Sequence, residues 1–219
     1  MGAIKFPHTS GNSMSIAAPA TNPASDLELK LPATVGTANQ VLKNSGTAGT
    51  LEFGSAGKIL QVLQNVKTNA SSTTTKESWL DIAGTDQAGS GSIFCVKITP
   101  SAATSKILFT AVLNVGTTTS NLAGFTLYRD STILQQGDAA TNLLRTTTMM
   151  YIPYGNNKTV NLTMQHLDSP SSTSELTYKV KYLTYNTNDF WVNRSDRDYA
   201  GIHYDYRPTS VLTVMEVGA

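Results

Sequence analysis

The chain has 219 residues, only 14% of them charged, and a net charge of +1. So small a charge excludes bulk electrostatic capture by nucleic acid or an anionic membrane, and neither partner is expected. No run approaches the ~20 apolar residues of a membrane span, and a single cysteine, Cys95, excludes an intrachain disulfide.

Residues 1–26 show no periodicity. Pro7, Pro19 and Pro23 interrupt them, and Gly, Ser and Ala fill the gaps, so an extended N-terminal arm without regular structure of its own is expected. The opening MGAIKFPHTSGNS has no apolar run of signal-peptide length. Gly2 after Met1 invites N-myristoylation, but Phe6 stands where that pattern needs Ser or Thr.

The next stretch, 27–57, reads as a connector. Leu27, Leu29 and Leu31 alternate with Glu28 and Lys30, the period of a strand with one apolar edge, and Pro32 ends it. A glycine-punctuated segment carries the apolar pair Val41–Leu42, and Leu51-Glu52-Phe53-Gly54 repeats the alternation. Three leucines on one strand have too little to bury against within this segment. Their partners are expected on other chains, either sister copies or the surface of a particle.

From residue 58 to the C-terminus the pattern is strands. Leu60, Val62 and Val66 share one face, as do Phe94, Val96 and Ile98. SKILFTAVLNVG sets Ile107, Phe109, Ala111, Leu113 and Val115 together, and GFTLYRDSTILQ reads as a hairpin turning at Asp130-Ser131. KTVNLTMQHLD places Val160, Leu162 and Met164 inside, with His166 continuing that face. ELTYKVKYLTYN aligns Leu176, Tyr178, Val180 and Tyr182. SVLTVMEV ends the chain as a strand tied into the middle of a sheet. Turn chemistry separates these runs. The total is roughly nine or ten short strands with little helix, an all-β, jelly-roll-like antiparallel sandwich. Cys95, inside SIFCVKIT, reads as a core thiol. Four N-x-S/T matches, at Asn69, Asn157, Asn161 and Asn193, are what Ser/Thr-rich composition produces by chance.

The stretch LELKLPATVGTANQVLKNSGTAGTLEFG resembles a connector found in tail-fibre and related virion proteins of bacteriophages. Leu27, Leu29, Leu31, Pro32, Gly36, Gln40, Val41, Leu42, Gly46, Gly49, Leu51 and Phe53 carry the resemblance. Downstream, GKILQVLQNVKT, TPSAATSKILFTAVLNVG, YRDST, LDSPSSTSELTYKVKY, VNRS and TVMEV are similar to a recurring C-terminal β domain of marine and cyanobacterial phage virion proteins. The resemblance implies a homotrimeric knob on the virion surface, in contact with capsid or tail proteins of the same particle and assembled in the host cytoplasm. Within this sequence the only candidate anchor is the arm, which keeps two roles open: a short fibre or spike that attaches to host-surface carbohydrate, or a capsid-decorating cement. Candidate particle or trimer contacts are Ile4, Phe6, Ile16, Leu27, Leu29, Leu31, Val41, Leu42, Leu51 and Phe53.

Phe190–Ser210 is the densest in chemistry and reads as a long loop between the last two strands. Trp191, Tyr199, Tyr204 and Tyr206 offer flat faces for a sugar, and Asp196, Arg197, Asp198 and His203 offer polar groups for its hydroxyls. Aromatics with arginines equally suit a loop packed on its own domain or a subunit interface. Asp196, Asp198, His203 and Asp205 have oxygen-rich spacing that Ca²⁺ would accept, but three nearby arginines supply ordinary ion pairs instead, and no metal or other cofactor is expected. No nucleophile elbow, zincin or P-loop pattern occurs, so the expectation is a binding protein and not an enzyme.

Overall fold

A computed structural model describes residues 3–7, 13–17, 21, 23, 28–37, 40–55, 58–117, 121–152, 158–185, 190–201, 203 and 205–218. The chain divides into two compact units, Met1–Ala56 and Gly57–Ala219.

The first unit holds two antiparallel hairpins. β1 (Ala3–Pro7) pairs with β2 (Ser13–Ala17), with Ile4 opposite Ile16 and Phe6 opposite Met14. This corrects the expectation of an arm without regular structure: a backbone ladder forms here without the long alternation that makes a strand visible in sequence. β3 (Gln40–Asn44) pairs with β4 (Leu51–Ser55), placing Leu42 opposite Phe53 and Lys43 opposite Glu52. The leucine-alternating segment before them makes no strand among its described residues. It touches the hairpin through one parallel bridge, Lys30 to Thr50, with Lys30 N–H donating to the Gly49 carbonyl and Leu51 N–H to the Lys30 carbonyl, both at 2.8 Å. Pro32, two residues on, has no N–H to extend the ladder. Gly49 is required at this bridge. Its φ is +75°, and a Cβ there would lie 2.6 Å from the Glu28 carbonyl oxygen. Leu27 lies outside the described residues.

The second unit is a sandwich of two six-stranded antiparallel sheets. Its strands are β5 (Ile59–Lys67), β6 (Ser71–Thr73), β7 (Leu80–Asp81), β8 (Cys95–Ile98), β9 (Lys106–Thr117) and β10 (Asn121–Arg129). They continue as β11 (Thr132–Gln135), β12 (Thr148–Ile152), β13 (Val160–Asp168), β14 (Leu176–Thr184), β15 (Phe190–Val192) and β16 (Ser210–Val217). One sheet runs β5-β16-β9-β15-β6, with β13 on the other side of β9. The other runs β11-β10-β14-β7, with β12 on β10 and β8 on β14. No helix occurs among the described residues. The unit has twelve strands where the sequence pattern showed nine or ten, because two- and three-residue strands such as β6, β7 and β15 are too short to alternate visibly.

The core lies between the sheets. Ile107, Phe109, Ala111, Leu113 and Val115 of β9 face Phe125 and Leu127 of β10 and Leu176, Tyr178 and Val180 of β14, all buried. Aromatic rings join the layers: Phe109 meets Tyr178 edge-on at 5.4 Å, and Phe190 stacks on Tyr182 at 4.7 Å. β16 sits between β5 and β9, so the last strand is central. Cys95 is buried. β5 is the exception to inward apolar alternation. Leu60, Val62 and Val66 do share a face, but it is the outer one, while Leu63, Asn65 and Lys67 point inward.

Candidate functional site

The loop between β15 and β16 is built from its neck outward. Asn193 and Ser210, both fully buried, close it. Ser210 Oγ donates to Asn193 Oδ1 at 2.6 Å, and Asn193 Nδ2 donates to the Lys67 and Asn69 carbonyls at 2.7 and 3.2 Å. Asn193 N–H reaches the Asn114 carbonyl at 2.8 Å, in a left-handed conformation with φ of 65° that asparagine tolerates. Beneath the neck Gly116 admits no Cβ, because one would lie 2.5 Å from the Arg194 carbonyl oxygen. A buried Asn193 side chain is also closed to glycosylation.

Above the neck, arginine and aspartate side chains interlock. Arg197 makes a two-pronged pair with Asp205, Nε to Oδ2 at 2.8 Å and Nη2 to Oδ1 at 2.7 Å, and Asp205 also accepts Tyr199 N–H at 2.8 Å. These bonds, led by that from Arg197, hold the Asp205 carboxyl below its ordinary pKa. Arg207 pairs with Asp198 through both Nε and Nη2, and Arg194 Nη1 lies 3.6 Å from the same carboxylate. Arg194 also lies 3.7 Å over the Trp191 ring.

Asp198, Tyr199, Ala200, Asp205 and Arg207 line a shallow cavity of about 270 Å³. Tyr199 and Tyr206 are exposed, with rings free of any inter-ring stacking among the described residues. Trp191 belongs to β15 and is half-buried, and Arg194 covers one of its faces, so it presents less surface to a sugar than its sequence position implied. Asp196 contributes its backbone carbonyl to Arg194, at 2.5 Å. His203 is exposed at the loop's tip, and Tyr204 lies outside the described residues. Of the carboxylates that spacing offered to Ca²⁺, those of Asp198 and Asp205 are engaged by arginines, and no three potential metal ligands cluster among the described residues.

Among the connector candidates, Leu29 and Leu31 are 62% and 73% exposed, Val41, Leu42 and Phe53 are also exposed, and Leu51 is half-buried. Ile4, Phe6 and Ile16 are placed by backbone register alone.

A second polar cavity, of about 420 Å³, has a lining that includes Asp86, Lys97, Asp130, Thr177 and Lys179. Asp86 Oδ1 accepts the N–H groups of Ala88 and Ser90 at 3.0 and 2.9 Å, and Lys97 Nζ stands 3.3 Å from Oδ2. The Ser90 N–H leads in keeping this carboxylate ionised below its ordinary range. Its residues are dispersed over more than ninety positions, so no local motif marks it. The Gly89 and Gly91 turn in GTDQAGSGS was the only signal.

No protein-family model matches the sequence, and no curated protein matches it. Solved structures that resemble the chain include infectious bursal disease virus particles. The Gx strain structure is 12% identical with a TM-score of 0.37, covering 82% of this chain and 42% of that one. The virus-derived T=1 particle gives 12% and 0.38, covering 82% and 41%. The VP2 subviral particle of that virus gives 12% and 0.35, covering 82% and 43%. This chain spans less than half the length of each, and TM-scores of this size lie below the level that identifies a common fold.

Proposed function

We propose that the chain is a structural protein of a phage virion. In this reading it is a homotrimeric short fibre or spike, docked through its N-terminal arm and presenting the sandwich to host-surface carbohydrate. The observation that carries the proposal is the uncovered apolar surface of the connector. Leu29, Leu31, Val41, Leu42 and Phe53 are exposed on a two-stranded hairpin with one bridged segment, too small a structure to bury them itself. Sister copies supply matching apolar surface, and the phage-connector resemblance of the same residues supports that use.

The function is binding. Tyr199 and Tyr206, held on an ion-paired loop, are the residues offered to a sugar. Three such sites on one head, repeated over a particle, hold a cell through avidity without a strong single contact.

The test is the position and copy number of the chain in an intact particle, together with particles lacking it. A few trimers at a vertex or tail, and stable particles that fail to adsorb, are the expected results. Hundreds of copies over the shell, with fragile heads that adsorb normally, would replace the fibre with a cement that buries Ile4, Phe6, Ile16, Leu27 and Leu29 at capsomer seams.

A further inference from the structure

The outer face of the β5-β16-β9-β13 sheet carries three consecutive cross-strand rows without a charged side chain. Register sets the first row as Val66, Val211, Val112 and Thr163. The middle row is Gln64, Thr213, Thr110 and Gln165. The third is Val62, Met215, Leu108 and Leu167. The face is open at both margins: Val62 is 51% exposed on edge strand β5, and Leu167 is 49% exposed on edge strand β13. Its inner positions on β9 and β16 are half-buried.

We propose that this face is covered by the same face of a second copy of the chain, related to the first by a two-fold axis. The pattern is its own complement. A two-fold across the strands, through the middle row, sets that row on its own copy and the valine-rich row on the leucine-rich one, while a two-fold along the strands sets each row on its own copy, so in either case apolar rows meet apolar rows. The middle row is symmetrical in chemistry, Gln-Thr-Thr-Gln. Each glutamine is already bonded to its neighbour: Gln64 Nε2 donates to Thr213 Oγ1 and Gln165 Nε2 to Thr110 Oγ1, both at 3.0 Å. Such a row enters a dry contact with much of its polarity satisfied. In a two-fold contact residue i meets j and j meets i, so only side chains at the axis meet their own copies, and a face with no charge over its three rows desolvates none in either orientation.

The size suits a weak contact. Four strands about 4.8 Å apart and three rows about 6.8 Å apart outline on the order of 400 Å² of flat face. Side-chain relief adds to that, toward but below the roughly 800 Å² each partner gives to a standard interface, which sets the concentration range of the test. This contact is additional to the proposed trimer and does not rest on it.

Light scattering on the full chain, from micromolar to near-millimolar concentration, tests the inference with Val62→Lys and, separately, Leu167→Lys. Both substitutions lie on half-exposed edge positions, and circular dichroism verifies that each variant folds, either one sufficing. The expected result is an even number of chains for the parent, six if the trimer holds and two if it does not, with the mass halved in the variants. A parent that stays at one or three chains overturns the two-fold contact. So does a mass that a folded variant leaves unchanged or reduces to one third.

Discussion

Glu216 is a carboxylate on the inner face of the last strand, and its surroundings decide how the sandwich responds to acid. It is fully buried. Burial alone would raise its pKa, but Ser101 N–H and Oγ donate to Oε1 at 2.7 and 2.6 Å and Gln61 Nε2 to Oε2 at 2.6 Å, and together the hydrogen bonds bring it below the ordinary 4.5. A carboxyl with a depressed folded pKa contributes stability above its unfolded value that is lost as pH falls through the folded one. Unfolding free energy should therefore decline from about pH 4.5 downward, and Glu216→Gln should flatten that limb while costing ~1–3 kcal/mol at neutral pH. Denaturant titrations across pH 3–7 on parent and variant provide the measurement. Lys67 presents the opposite case. It is buried, its Nζ donates to Asn69 Oδ1 at 2.9 Å, and burial pushes its pKa down. No carboxylate pairs with it among the described residues, so Lys67→Met, which keeps the stem and removes the charge, should raise stability by about 1 kcal/mol in the same titration. Asp168 shows the cost of breaking a completed cluster. It accepts Arg129 Nη1 at 2.6 Å and Tyr178 Oη at 2.7 Å, and Asp168→Asn, leaving the guanidinium half-enclosed and unpaired, should cost ~3 kcal/mol.

At the scale of elements, the loop after β15 depends on its neck. Asn193→Ala removes the acceptor of Ser210 Oγ and the donor to two carbonyls, and it places alanine at a φ of 65°. It should cost ~2–4 kcal/mol and speed proteolysis within residues 194–209, read by mass spectrometry of limited digests. That role was not legible in the sequence, where Asn193 looked like one more chance N-x-S match. Long strands were legible because inward apolar residues recur at every second position, Ile107 to Val115 in β9, Val160 to Met164 in β13 and Leu176 to Tyr182 in β14, and those residues form or pack on the core. β5 was legible only by halves. Leu60, Val62 and Val66 mark its period, but the apolar set faces outward and Asn65 and Lys67 face in, so alternation identified the strand without saying which side is the core. The β1–β2 hairpin was missed because its apolar alternation, Ile4 and Phe6 on one strand and Met14 and Ile16 on the other, is only two residues long in each and lies among Pro, Gly and Ser. In the 190–210 stretch composition found the aromatics and acids. The pairing of Arg197 with Asp205 and of Arg207 with Asp198 joins residues eight and nine apart, a separation that belongs to the loop's path and to no repeating element.

At the scale of the whole molecule, the two proposed contacts make separable arithmetic. The connector's exposed leucines are the proposed three-fold seam, and the sandwich's uncharged sheet face is the proposed two-fold seam. Leu31→Glu with Leu42→Glu places charge in the first and should divide the mass by three, whereas Val62→Lys should divide it by two. The sandwich keeps its own core between two complete sheets, so the connector variant should leave its denaturant midpoint unchanged. Attachment should then fall with valency: the connector variant keeps one third of the linked Tyr199–Tyr206 sites of the parent assembly, and that loss costs on the order of 10²-fold or more in apparent affinity. Tyr199→Ala with Tyr206→Ala should abolish adsorption to host cells at unchanged mass and stability, because both rings are exposed and add nothing to the core. Unaltered adsorption by that double variant would remove the loop from the attachment surface while leaving the assembly untouched. Unaltered adsorption by the connector variant, measured on the same cells, would show that three-fold avidity has no part in holding the host.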